Sequence, residues 1–261
     1  MVLTQRLEAF FSSWKTGKRL VVLTAYDATQ AAIVEAGGVD LILVGDSLGM
    51  AVQGLDSTTA VTLEQMAYHT RMVARGRKAL PIVADLPLGS YDDPESAVES
   101  SRILISAGAD AVKFEGNPPG IARAILASGI PVMGHLGLLP QTAGSFRVFG
   151  KTSPEAAALQ TDARSLADLG CFSIVLECVP LSLAQRVTQE LELPTIGIGA
   201  GPFTNGQVLV FHDLLGLLSG HKAKFLPRSY PSVGDLARDV VLHFANDVRS
   251  GVYPSDQESY H

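Results

Sequence analysis

Short apolar runs recur along the chain, each closing on a polar or glycine-containing cluster and each followed by a longer segment with apolar residues at helical spacing. The runs are Leu20–Thr24, Asp40–Val44, Pro81–Ala84, Ala111–Phe114, Pro131–Gly134, Phe172–Leu176 and Thr195–Gly199. An eighth strand is expected within Val208–His212, a segment that a helix can also claim. Uninterrupted apolar runs are what strands look like when both sheet faces are buried. Between them, helices are expected over Ala28–Ala36, Leu63–Arg75, Pro94–Ala107, Pro119–Ala127, Pro154–Leu169 and Leu181–Leu191. Several close on a glycine just before the next run (AGGVD, SAGAD, ASGIP, DLGCF), where a left-handed residue ends the helix.

Strand and helix in alternation, with short links, specify a parallel sheet with right-handed crossovers. About eight such units in 261 residues favour one closed (β/α)8 TIM barrel, a fold of roughly 250 residues. The structural alternative is an open doubly wound sheet. A G-x-G-x-x-G after the first strand would have supported it, but that position reads TAYDATQ. The N-terminal segment 1–17 is expected to form an extra helix, Gln5–Trp14, packed on the barrel. Val233–Arg249 reads as a final amphipathic helix, and the polar tail 250–261 as frayed or docked on a neighbour. Nothing resembles a linker or a low-complexity tract, so 1–261 is expected to be a single domain.

Composition adds exclusions. The chain is 47% hydrophobic and carries a net charge of −6 with acids and bases interspersed. There is no basic stripe to meet nucleic acid or an anionic membrane. The N-terminus lacks the layout of a signal peptide, and no uncharged apolar stretch reaches the roughly 18 residues of a membrane span. A cytoplasmic protein is expected. The two cysteines, Cys171 and Cys178, do not match zinc-ligand spacing and read as buried free thiols.

A parallel barrel places its chemistry at the C-terminal ends of its strands. Read in turn, those ends deliver Asp46 and Ser47, Asp85, Lys113 with Glu115, His135, Glu177 and the glycine run 197–201. Four carboxylates converging on one mouth repel strongly at an effective dielectric near 20. Either a cation relieves them or some stay protonated. Oxygen-only ligation by Asp46 and Asp85 suits a hard divalent ion such as Mg2+, with positions left for water and a chelating substrate. For any one acid alone, a solvated loop or a helix cap is the simpler account; four at one structural level on adjacent strands are harder to explain that way. Lys113 shares a strand side with Glu115 and can meet a substrate carboxylate, neutralise the acids, or do both. Ser47 offers a hydroxyl to an anion or is a plain turn residue. His135 is either an accessory acid/base group or a structural hydrogen bonder. The glycine run can cradle a phosphate or make a tight turn beside a bulky ligand. His69 and His212 lie in apolar segments and read as structural.

Several of these residues stand in longer motifs: TAYDA (24–28), VGDSLGM (44–50), YHTRMVARG (68–76), VADLPLGSY (83–91), AGADAVKFEG (107–116), PVMGHLGLLPQ (131–141), LECVP (176–180) and, within 196–216, IGIGAG and GQVLVFHDLLG. In this order they resemble the ketopantoate hydroxymethyltransferase family, over the chain from about residue 14 to the C-terminal tail. The resemblance implies a (β/α)8 barrel that transfers a hydroxymethyl group from 5,10-methylenetetrahydrofolate to 3-methyl-2-oxobutanoate, through a metal-stabilised enolate, in pantothenate and coenzyme A biosynthesis. It implies Mg2+, with other divalent ions possible, and a homo-oligomer, decameric in bacterial members. By motif, Asp46 and Asp85 match the direct metal ligands and Glu115 a carboxylate acting on the metal through water. Asp46, Ser47, Asp85 and Lys113 fall in the substrate-binding set, with Ser47 and Lys113 on the keto acid, and Glu177 matches the proton-accepting base. The chain departs from the pattern in TAGSFRVFGK (142–151), shortened and with Phe149 where glutamine is common, in Asn205-Gly206 for Asp-Gly, and in VADLPL. These departures are expected in loops over the site, where they bear on folate binding. A keto-acid lyase or mutase of the isocitrate-lyase and phosphoenolpyruvate-mutase kind, or a non-catalytic metabolite-binding barrel, is the competing reading. Lyases and mutases of that kind typically use a loop cysteine, and Cys178 is not in such a motif.

Overall fold

The computed structural model describes residues 4–218, 224–226 and 230–261. The chain divides into two compact units, Met1–Val210 and Phe211–His261.

The first unit is a closed barrel of eight parallel strands in sequence order. They are β1 (Leu20–Thr24), β2 (Leu41–Val44), β3 (Ile82–Asp85), β4 (Ala111–Lys113), β5 (Val132–Gly137), β6 (Ser173–Glu177), β7 (Thr195–Ile198) and β8 (Gly206–Leu209), with β8 pairing back onto β1. The helices of this unit are α1 (Gln5–Lys15), α2 (Ala28–Ala36), α3 (Leu48–Ala51), α4 (Leu63–Gly76), α5 (Pro94–Ser106), α6 (Ile121–Ala127), α7 (Ser153–Leu169) and α8 (Leu181–Glu190). Every residue of β2 and β3 is buried, as their unbroken apolar runs require. Polar side chains start several of the helices: Thr62 and Gln65 form a reciprocal capping box on α4, and Asp93 accepts from the Glu95 and Ser96 N–H groups at α5. Gly38, Gly108, Gly129 and Gly170 adopt positive φ as predicted, Gly170 as the C-cap of α7 at φ 100°, whereas Gly37, the C-cap of α2, stays right-handed at φ −72°.

Two boundaries differ from expectation. The eighth strand is Gly206–Leu209, and Phe211–Leu214 is helical (α9), so the apolar run over 208–212 straddles two elements. Strand β5 continues to Gly137, which places His135 inside the strand rather than beyond its end. The short helix α3, which follows Asp46-Ser47, is an element that the apolar periodicity does not predict.

The N-terminal helix packs on the barrel as expected, and it does so at the end where the strands begin. Leu7 and Phe10 of α1 are buried in one cluster with Leu20, Val22, Phe172 and other inward-facing strand residues. The Phe10 and Phe172 rings meet edge-to-face at 6.2 Å. Asp110, just before β4, fixes this end: it accepts from Ile82 N at 3.0 Å and from Thr4 Oγ1 and Arg6 at 3.4 Å, and pairs with Arg77. Chemistry is thereby left to the opposite mouth.

The second unit contains α9 and the long helix α10 (Val233–Ser250), which stops at Gly251. Its polar tail is more ordered than expected: a 3-10 turn at Asp256–Glu258 is capped reciprocally by Ser255 and Glu258, and Tyr253 packs edge-on to Phe244 at 5.3 Å. No described helix is long and apolar enough to cross a membrane.

Candidate active site

Every acid read from the strand ends lies at the same mouth. Asp46 follows β2, Asp85 ends β3, Lys113 ends β4, Glu115 follows it and Glu177 ends β6. Register explains the first contacts, because Asp85 and Lys113 are paired across β3 and β4. The Lys113 ammonium lies 3.0 Å from Asp85 Oδ1, and Asp46 N donates to Asp85 Oδ2 at 3.2 Å. Asp46, Asp85, Lys113, Glu115 and His135 are all buried, and the Glu177 side chain keeps 14% of its surface exposed.

Burying like charges together has a cost that appears in their ionisation. Burial, with the nearby Asp85 carboxylate, pushes Asp46 from its ordinary 3.8 up to about 7, on the order of 4 kcal/mol against the charged form. Burial, opposed by Lys113 and reinforced by Asp46, pushes Glu115 up to about 8. Burial opposes charge on Lys113 too, but the carboxylates of Asp85, Asp46 and Glu115 outweigh it and raise its pKa.

His135 links the two sides of the mouth. Burial, and next the Lys113 charge, lower its pKa, so the ring is neutral at pH 7. Lys113 Nζ stands 3.3 Å from Nδ1 and can only donate, so Nδ1 is the acceptor and Nε2 carries the proton. That N–H faces Glu177 Oε2 at 3.2 Å, a charge–dipole contact rather than an aligned hydrogen bond. Both readings left open for Lys113 therefore remain compatible: it neutralises acids and lies at the mouth. Ser47 shares a 2.8 Å hydrogen bond with Tyr26 OH, and His69 meets the Tyr26 carbonyl through Nδ1 at 2.7 Å, the structural role expected of it.

Backbone geometry is tight where β5 meets β6. At Gly137 (φ 102°) a Cβ would fall 2.2 Å from the Glu177 carbonyl oxygen, so only glycine lets the two strand ends approach. Cys178 next to Glu177 takes φ 48°, a left-handed conformation uncommon outside glycine. Its thiol is pushed up to about 11 by burial and by Glu177, and that of buried Cys171 to about 12 by burial, which suits inert free thiols.

One residue of the site carried no role in the sequence reading. Gln141, from the segment after β5, is buried among the acids. Its Nε2 donates to Asp46 Oδ2 at 2.8 Å and to the Leu86 carbonyl at 3.0 Å, and its backbone N–H donates to Glu115 Oε2 at 3.0 Å. Tyr91 OH donates to Gln141 Oε1. The only trace in the sequence is its place at the end of the PVMGHLGLLPQ motif.

The departures from the family pattern are not all over the site. Phe149 is near it: its N–H donates to the Cys178 carbonyl at 2.9 Å, and the Arg147 guanidinium lies 3.8 Å over its ring. Asn205-Gly206 is at the other end, where Gly206 pairs with Leu20 and Asn205 Oδ1 accepts from Thr195 N at 3.0 Å. A cleft of about 300 Å³ at that closed end is lined by Trp14, Lys18, Arg19, Phe203 and Asn205. Its cations are engaged, Lys18 with Asp40 at 2.6 Å and Arg19 with the Pro202 carbonyl at 2.9 Å.

A family model described as ketopantoate hydroxymethyltransferase matches residues 5–256. The chain belongs to the ketopantoate hydroxymethyltransferase family. It is 45% identical over 251 residues to the 3-methyl-2-oxobutanoate hydroxymethyltransferase of Moorella thermoacetica, covering 94% of this chain and 93% of the relative. The enzyme of the same name from Thermus thermophilus is 46% identical over 250 residues, covering 94% and 95%. Among solved structures, a phosphonopyruvate hydrolase complexed with oxalate and Mg2+ superposes with a TM-score of 0.65 at 13% identity, over 99% of this chain and 92% of that one. A 2,3-dimethylmalate lyase of the PEP mutase/isocitrate lyase superfamily gives 0.60 at 17% identity, over 100% and 93%. These structures share the barrel. Membership of the ketopantoate hydroxymethyltransferase family makes the chain an enzyme, a hydroxymethyltransferase of pantothenate formation, as the motifs implied.

Proposed function

We propose that the mouth of this barrel transfers a hydroxymethyl group from 5,10-methylenetetrahydrofolate to 3-methyl-2-oxobutanoate, with Glu177 as the base and a divalent ion, Mg2+ foremost, held by Asp46 and Asp85. The observation that carries the reading is the meeting of two buried carboxylates, Asp46 and Asp85, with Lys113 at one strand-end level, and of His135 with Glu177 beside them.

The donor set fits such an ion. It is all oxygen, it is negative beyond what Lys113 neutralises, and the buried Asp85 Oδ1 lacks an aligned hydrogen bond even with Lys113 at 3.0 Å. Among the described residues no group of three or more His, Cys, Asp or Glu side chains is arranged to hold a metal ion by itself. Asp46 and Asp85 would hold the ion directly and Glu115 through water, with positions left for substrate. When bound, the ion polarises the keto group and stabilises negative charge on its oxygen.

The chain's own residues do the rest. Lys113 and Ser47 orient the carboxylate of the keto acid. Glu177, partly exposed at the mouth, removes the β-proton of 3-methyl-2-oxobutanoate. His135, neutral and turning its Nε2–H toward Glu177, positions the Glu177 carboxylate through that charge–dipole contact. Water opens the methylene bridge of the folate and releases tetrahydrofolate, the carbon nucleophile adds to the one-carbon unit at the formaldehyde level, and the proton taken by Glu177 returns to the oxygen of the new hydroxymethyl group. Bacterial relatives of this family motivate a homo-oligomeric, decameric assembly for the chain.

The test is exchange of the β-proton of 3-methyl-2-oxobutanoate in D2O, followed by NMR with Mg2+ and with EDTA. Metal-dependent exchange without folate is expected. No exchange under either condition sinks the mechanism, and cleavage of the keto acid moves the chain toward the lyase reading.

A further inference from the structure

The acid cluster is built so that two of its carboxylates have one oxygen already committed. Gln141 is the agent for both: its amide holds Asp46 Oδ2 at 2.8 Å, and its backbone N–H holds Glu115 Oε2 at 3.0 Å. The amide orientation is fixed by its partners. On one side are two acceptors, Asp46 Oδ2 and the Leu86 carbonyl; on the other is the Tyr91 hydroxyl, donating to Oε1. A side chain held at both ends and buried has little freedom to release the carboxylate.

We infer that Gln141 is a positioning residue that sets the choice of ion, by keeping Asp46 monodentate and so favouring Mg2+ over Ca2+. This rests on the divalent-ion reading above. The physical ground is the difference between the two ions. Ca2+ takes six to eight oxygens and gains from bidentate carboxylates, whereas Mg2+ demands six in an octahedron and keeps water readily. An Asp46 with one oxygen occupied by an amide offers a single donor atom, which suits the smaller coordination number. Partners in this outer layer commonly change metal affinity by about 10- to 100-fold.

The experiment is calorimetric titration of the full chain with MgCl2, MnCl2 and CaCl2, comparing wild type with Gln141→Leu. Leucine fills similar volume, removes the amide and keeps the backbone N–H to Glu115. The ratio of Ca2+ to Mg2+ affinity is expected to rise about tenfold in the variant. A purely structural role predicts equal weakening for both ions, and that result overturns the inference. Tyr91→Phe frees Gln141 Oε1 without touching a carboxylate, and a smaller rise in the same ratio is expected. If Gln141→Leu fails to fold, Tyr91→Phe decides: an unchanged ratio there overturns the assignment. Wild-type protein that binds none of the three ions overturns this inference and the metal reading together. Wild type that binds Mg2+, beside folded variants whose ratio does not move, overturns the inference alone.

Discussion

Lys113→Met tests the electrostatics of the mouth directly. The ammonium lies 3.0 Å from Asp85 Oδ1, and at an effective dielectric near 20 that attraction is worth about 5 kcal/mol. Breaking a buried pair by removing one partner typically costs ~3–5 kcal/mol, so the two scales agree. Lys113 also lowers the pKa of Asp46 and Glu115, which stand at about 7 and about 8 in its presence. Both values lie above the unfolded ones, so the native state holds extra protons through this range and stability falls as pH rises toward 8. Without Lys113 both acids titrate higher still. The added loss therefore accrues only above pH 7, where wild type has ionised and the variant has not. At pH 6 the acids are protonated in both proteins, and the loss is that of the Asp85 pair alone, roughly 3 kcal/mol; at pH 9 roughly 5 kcal/mol is expected. Urea denaturation in EDTA at the two pH values measures this. Equal losses at pH 6 and 9, or none, would refute the argument.

Glu177→Gln should lower β-proton exchange by about 10²–10⁴-fold while Mg2+ affinity stays within about twofold; parallel loss of both would make Glu177 a ligand instead. Metal affinity should climb as pH rises from 6 to 9, because Asp46 and Glu115 must shed the protons they hold below about 7 and about 8. Titration in buffers of different ionisation enthalpy should show proton release at pH 6 and almost none at pH 9, and release that does not change with pH contradicts the raised values. Phe10→Ala should cost about 3–5 kcal/mol of stability with the exchange rate of the folded protein unchanged; a slowed rate would mean that the closed end is coupled to the mouth.

Most of the barrel was legible because strands buried on both faces must be apolar throughout, as Leu41–Val44 and Ile82–Asp85 are up to their final acid. β8 was displaced because its polar, exposed Gln207 breaks the run, while Phe211 and Leu214 beyond it extend an apolar pattern that belongs to a helix. The acids were legible for a topological reason: strand ends of a parallel barrel face one mouth, so their positions follow once the strands do. Gln141 was not, because it arrives from an irregular segment, and an amide that hydrogen-bonds across 95 positions to Asp46 leaves no periodic trace. Asn205 was misplaced by its neighbourhood. It follows the glycine run at the end of β7, but the chain has already returned to the far end of the barrel before it reaches Asn205.

Strand side chains such as Val22, Leu43, Val83, Met133 and Val208 fill the barrel, with Leu7 and Phe10 in the same cluster, and make it a cul-de-sac. Whatever reacts at the acids must come and go by a single door. In the proposed reaction the keto acid and the folate therefore share that one entrance. Traffic is then governed by the loops of one rim, and the helix at the far end is free to serve stability alone.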